Sequence, residues 1–201
     1  MRRRKEFECS KSTLIFTYVK KHWKTLGSRL IYENSWIRLR EDQVEQPGRP
    51  ARPFSVVEFK GGVGIVALDS RGRCVLVGQF RYPLGRFSWE IPKGAFPSFD
   101  QKNRNPLETA KRELVEETGL SAARWDSLAL VHTLLGSTDD EVSLFCAREL
   151  TAGTPEFEVV EDISVKWVTI PAFWDMVASQ EVTDATSIAA IGLCVQRGLS
   201  P

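Results

Sequence analysis

The sequence predicts an α/β fold, and three observations carry the prediction. Strand-like segments stand at 29–33, 36–40 and 53–59, the second alternating apolar and polar residues, two dense apolar runs follow at 63–68 and 74–80, and a helix with both ends marked stands at 105–119 among further strands. At 201 residues, 42% hydrophobic and 26% charged, the chain can build one domain with a substantial core, which excludes a disordered chain or a fibre. Twenty-seven Lys+Arg against 26 Asp+Glu leave a net charge of +1, so no overall field draws the protein toward nucleic acid or anionic lipid.

The elements follow in order. Residues 1–24 hold eight Lys/Arg and two Glu, and 1–25 read as a basic extension, with enough apolar residues in 12–24 for a strand or short helix. Residues 29–33, 36–40 and 53–59 read as an antiparallel meander turned by Pro47-Gly48-Arg49-Pro50. Gly61-Gly62 interrupts, and the runs 63–68 and 74–80 are buried strands joined by the Asp69-Ser70-Arg71-Gly72 turn, where the core sheet begins. Asn105 caps the next helix, Pro106 suits its first position, Glu108 completes a capping box and Gly119 closes it. Leu107, Ala110 and Leu114 recur at helical spacing and face the sheet, leaving Glu113, Glu116 and Glu117 off that stripe. Strands at 127–134, 141–148 and 165–170 and helices at 171–179 and 184–196 complete the chain.

The longest uncharged apolar stretch near the start, residues 14–19, is about a third of the roughly 20 residues a bilayer span needs, so no membrane span and no secretory signal are expected. Cys9, Cys74, Cys146 and Cys194 lie far apart without a CxxC pair and read as reduced thiols of a cytoplasmic protein. His22 and His132 are the only histidines, and no GxSxG or GxxxxGK[ST] occurs. The chemistry therefore falls to carboxylates. Glu113 and Glu117, four apart on one helical face with Glu116 beside them, repel one another, and a divalent cation held by oxygen ligands would relieve that repulsion. A solvated acidic face is the alternative for such a helix.

Arg112-Glu113-Leu114-Val115-Glu116-Glu117-Thr118-Gly119-Leu120 matches every specified position of R-E-U-x-E-E-x-G-U, U being aliphatic, and by it the protein resembles the Nudix hydrolases from about residue 28 onward. The resemblance implies an α/β/α sandwich with a mixed sheet, here with an added N-terminal antiparallel strand domain. It also implies Mg²⁺ or Mn²⁺ held by Glu113, Glu116 and Glu117, with Arg112 as the box arginine. The upstream half of the box departs from the pattern. Arg104 stands eight residues before Arg112 where a glutamate is expected, and nine residues separate it from Gly94 where five are expected, a four-residue insertion; Asp100 or Glu108 would then brace Arg112.

Gln79-Phe80-Arg81-Tyr82-Pro83-Leu84-Gly85 and Trp89-Glu90-Ile91-Pro92-Lys93-Gly94 are similar to the ADP-ribose pyrophosphatase branch. That likeness implies a phosphate contact by Arg81, a metal contact by the Lys93 carbonyl, a role for Glu90 in or behind the metal shell, and a base clamp from Trp36 and Phe54, which equally suit inward strand positions. It further implies a ribose-side loop holding Asp140, with an acidic hairpin turn as the alternative, and a general base or metal ligand at Glu161. Implied organisation is a basic extension (1–25), a strand domain for dimerisation and base recognition (26–62) and a hydrolase domain (63–201), assembled as a homodimer. The expected substrate is a nucleoside diphosphate sugar, first ADP-ribose, with GDP-mannose or a dinucleotide as alternatives, and no nucleic acid or membrane partner. A nucleotide-diphosphate binding module with weakened turnover is the alternative of another class.

Overall fold

The computed structural model of the protein describes residues 23–153 and 163–199. The element expected within 12–24 and the candidate Glu161 fall, wholly or almost so, outside the described residues. The chain opens with β1 (Lys24–Glu33), β2 (Ile37–Glu45) and β3 (Arg52–Phe59), which form a separate antiparallel sheet in that order. Every residue of β1 is exposed, whereas β2 and β3 carry partly buried positions. Asp42 is the polar anchor of this sheet: Ser28 Oγ on β1 donates to it at 2.5 Å and Arg40 Nε at 3.0 Å.

β4 (Gly62–Ala67) and β5 (Arg73–Arg81) follow, and here the structure corrects the expected hairpin. The Asp69–Gly72 turn forms, with Gly72 N donating to Asp69 O, yet only a single bridge, Leu68 to Cys74, links the two strands. They part into different sheets because each finds a better partner. β5 pairs with β6 (Arg86–Glu90) and, after a long excursion, with β10 (Ser164–Thr169). β4 pairs antiparallel with β7 (Lys93–Ala95) and parallel with β9 (Glu141–Ala152), whose other edge takes β8 (Leu120–His132). This four-stranded sheet, β7-β4-β9-β8, is mixed, as expected.

Alternation along β4 sets the layers. Val63, Ile65 and Ala67 pack with Ala110 and Leu114 of α1 (Pro106–Thr118), while Val66 joins Phe173 and Met176 of α2 (Ile170–Ala178) and Ala190, Ile191 and Cys194 of α3 (Ala185–Gln196). A strand apolar on both faces demands cover on both, and the helices supply it. Burying such side chains contributes about 1.5–3 kcal/mol each relative to exposure. α1 has the expected ends: Asn105 accepts from Glu108 N, and Gly119 adopts φ 70°, a conformation costly for any residue with a Cβ. The Glu108 carboxylate, however, pairs with Lys111. Cys74, Cys146 and Cys194 are all free and fully buried.

Two elements were not expected. β6 and β7 flank Ile91-Pro92 and are five and three residues long, too short to show a period. β8 begins at Leu120, directly behind α1, seven residues earlier than its pattern indicates, because Arg124 and Asp126 in its first half interrupt the apolar alternation.

Candidate active site

A cavity of about 900 Å³ opens where the N-terminal sheet meets the helix-covered layers, and Trp36, Arg81, Lys93, Arg112, Glu113, Glu116, Glu117 and Asp140 all line it. The fold brings them together from five directions. Trp36 stands just before β2 and is 71% exposed at the cavity mouth. Arg81 closes β5, Lys93 opens β7, the three glutamates project from α1, and Asp140 precedes β9, accepting from Thr133 Oγ1 at 2.6 Å.

Helix α1 approaches β7 closely enough that a Cβ at Gly94 would overlap the Glu113 carboxylate, so any other residue there would push that carboxylate aside. On the same side, the Lys93 backbone N–H donates to Glu117 Oε2 at 3.0 Å. Glu117 is 8% exposed, a depth at which a carboxylate requires compensation. Arg112 lies across the outer pair, bonded to Glu116 at 2.5 Å and also to Glu113. Desolvation favours losing the Arg112 proton, but the bonds and charges of Glu116 and Glu113 outweigh it and hold its pKa above the ordinary value. The expected braces for Arg112 are therefore not used. Glu108 turns to Lys111, and Asp100 instead caps the short 3₁₀ turn Gln101–Asn103. Arg104, in place of the expected glutamate, stacks half-buried over the Phe96 ring (5.1 Å) and bonds Glu141 at 2.7 Å, tying the inserted loop to the start of β9.

Glu90 does not line the cavity. It lies beneath it at 3% exposure, taking Arg81 Nε and Nη2 on Oε1 (2.6 and 2.5 Å) and Lys93 Nζ on Oε2 (2.6 Å). Phe54 is also absent from the cavity and packs edge-on against Trp23 at 5.5 Å. The reason is strand geometry: the end of β3 that reaches the cavity is Phe59, and Phe54 stands five residues back, about 17 Å at strand rise. Residues that reading the sequence missed are Lys60, Gln79, Asp184 and Thr186, all on the cavity wall. Gln79 stands in the Gln79–Gly85 segment and Asp184 caps α3, whereas Lys60 and Thr186 carry no local signal.

A divalent cation suits the donor set. The carboxylates of Glu113, Glu116 and Glu117 are hard oxygen ligands, and no soft sulfur or imidazole stands among the residues lining the cavity. Among the described residues no three His, Cys, Asp or Glu side chains form a ready-made cage.

A NUDIX domain matches residues 58–189, more than half of the chain. The chain is a Nudix hydrolase. Its residues 23–49 match the nucleoside diphosphate sugar hydrolase N-terminal domain, the part of the fold built from β1 and β2. This Nudix hydrolase is 34% identical over 171 residues to an ADP-ribose pyrophosphatase of Mycobacterium tuberculosis, covering 84% of this chain and 81% of the other. It is 35% identical over 170 residues to an ADP-ribose pyrophosphatase of Bacillus subtilis, covering 84% and 90%. A crystal structure of an ADP compounds hydrolase superposes with a TM-score of 0.75 over 88% of this chain and 94% of that one at 16% identity, a likeness of fold. The sandwich with an added N-terminal strand sheet is thus the Nudix architecture.

Proposed function

We propose that this Nudix hydrolase cleaves the diphosphate of a nucleoside diphosphate sugar with the help of Mg²⁺ or Mn²⁺, and that its substrate is ADP-ribose, giving AMP and ribose 5-phosphate. The observation that carries the reading is the meeting, across one cavity, of Glu113, Glu116 and Glu117 with the Arg81 guanidinium and the exposed Trp36 ring. The likeness to two ADP-ribose pyrophosphatases points the same way.

Glu113, Glu116, Glu117 and the Lys93 carbonyl would hold the cation, which when bound supplies positive charge to the diphosphate oxygens and acidifies water. Arg81 gives Nε and Nη2 to Glu90, so its guanidinium plane is set and the remaining donors meet a phosphate. Arg112, which now pairs with Glu113 and Glu116, would yield them to that cation. Trp36 offers a planar face on which a base stacks, a contact of about 1–3 kcal/mol per base. Phe54, remote from this cavity, serves within the N-terminal sheet or toward a second copy. Asp140 accepts a ribose hydroxyl, and Glu161, on the stretch before β10, is the candidate to take the proton of the attacking water.

The organisation that fits this reading is a basic extension (1–25), a strand domain (26–62) and a hydrolase domain (63–201), paired as a homodimer in the cytoplasm. Leu26, Leu30, Ile31 and Tyr32 of β1 are each about half exposed and give that dimer an apolar face. No helix among the described residues is long and apolar enough to cross a membrane. The test is the purified protein with Mg²⁺ against ADP-ribose, GDP-mannose and a dinucleotide, with Glu117→Gln as control. AMP released from ADP-ribose, and nearly abolished in Glu117→Gln, is the expected result. Turnover of another substrate alone, or an unchanged Glu117→Gln rate, rejects it.

A further inference from the structure

The side chain of Lys93 has no part in the function proposed above, which uses only its carbonyl. Its ammonium nevertheless sits in a largely buried ionic cluster beside the cavity. Nζ lies 2.6 Å from Glu90 Oε2 and 3.0 Å from Asp184 Oδ1, and the Glu90 and Asp184 side chains are only 3% and 20% exposed. Asp184 is fixed in turn as the cap of α3, accepting from Ser187 N at 2.9 Å and from Ser187 Oγ at 2.6 Å. That same Ser187 Oγ accepts from Ile91 N at 3.0 Å. Helix α3 therefore holds the Glu90–Gly94 turn at two points, one neutral and one ionic.

Both ends of this arrangement reach the cavity. Glu90 determines where the Arg81 guanidinium lies, and the Lys93 backbone N–H engages Glu117. Arg81 and Lys93 against Glu90 and Asp184 sum to zero charge, and loss of either inner member would leave an uncompensated charge in a poorly solvated place.

We infer that Lys93, through its side chain, and Asp184 are positioning residues of the hydrolase: together they form an ionic strut from α3 that sets Glu90, and through it Arg81, to receive the substrate diphosphate. The inference rests on the proposed function in one respect, that Arg81 meets the diphosphate.

The experiment uses the full chain with Lys93→Met, Asp184→Asn, the double variant and Lys93→Arg. Asparagine keeps the helix cap, and all four keep the backbone groups of position 93, so folding is preserved and checked by thermal melting. Turnover of ADP-ribose with Mg²⁺ is measured alongside calorimetric binding of ADP-ribose in EDTA, which requires no turnover and no cation. We expect Lys93→Met to raise KM about tenfold with a smaller fall in kcat, and to weaken binding in EDTA by a similar factor. Asp184→Asn should act in the same direction, the double variant should be no worse than Lys93→Met, and Lys93→Arg should recover most of the loss. Additive effects, or lowered melting temperatures with KM, kcat and EDTA binding unchanged, overturn the strut. A wild type that turns over ADP-ribose while the variants match it overturns the strut alone; a wild type that neither cleaves nor binds ADP-ribose overturns the functional reading and the strut with it.

Discussion

At the scale of single residues, the site depends on atoms that are missing as much as on those present. Gly94 lets the Glu113 carboxylate lie against β7, where any Cβ would collide with it. Gly94→Ala should leave a folded protein with at most about a tenth of wild-type kcat, because the collision displaces either the glutamate or the Lys93 carbonyl; steady-state kinetics with a circular dichroism control checks it. The glutamates themselves were legible in the sequence, since their spacing on one helical turn is a local property. Asp184 was not. Its contact with Lys93 joins positions 91 residues apart, and no periodicity records such a pairing. Phe54 shows the converse limit: strand alternation assigns a face but not a distance along the strand, and the residue that reaches the cavity is Phe59.

Among elements, those specified by their own ends are legible in the sequence and those specified by distant partners are not. α1 carries its cap, its proline and its terminal glycine in sequence, and forms where they place it. β6 and β7 exist only because β5 and β4 offer them edges, and the expected β4–β5 hairpin gives way to the parallel β4–β9 pair. Pairing of β1 with β2 has its own signature in acid. The Ser28 hydroxyl bond lowers the Asp42 pKa, burial opposes it, and the Arg40 bond and charge assist, leaving it below the ordinary 3.8. A carboxylate depressed in the folded state contributes stability that is complete above its unfolded pKa and is lost as pH falls through the folded one. Asp42→Asn should therefore lower denaturant midpoints at pH 7 and flatten their decline below about pH 4, the ordinary carboxylate range. A decline as steep as wild type would refute the assignment.

For the whole molecule, the N-terminal sheet is the part whose exposure needs explaining. Its outer strand is exposed throughout, with several large apolar side chains among its ten residues, which is unusual for a monomer. Sedimentation equilibrium should give a mass near twice 22.7 kDa at micromolar concentration, and Leu30→Glu combined with Ile31→Glu should shift it toward one chain. A monomeric wild type would reject pairing through this face. The three core cysteines have a use of their own. Because Cys74, Cys146 and Cys194 are shut between β-strands and α3, an alkylating probe reaches them only when those layers separate, so the rate of their modification clocks spontaneous opening of the sandwich, read out by mass spectrometry without any denaturant.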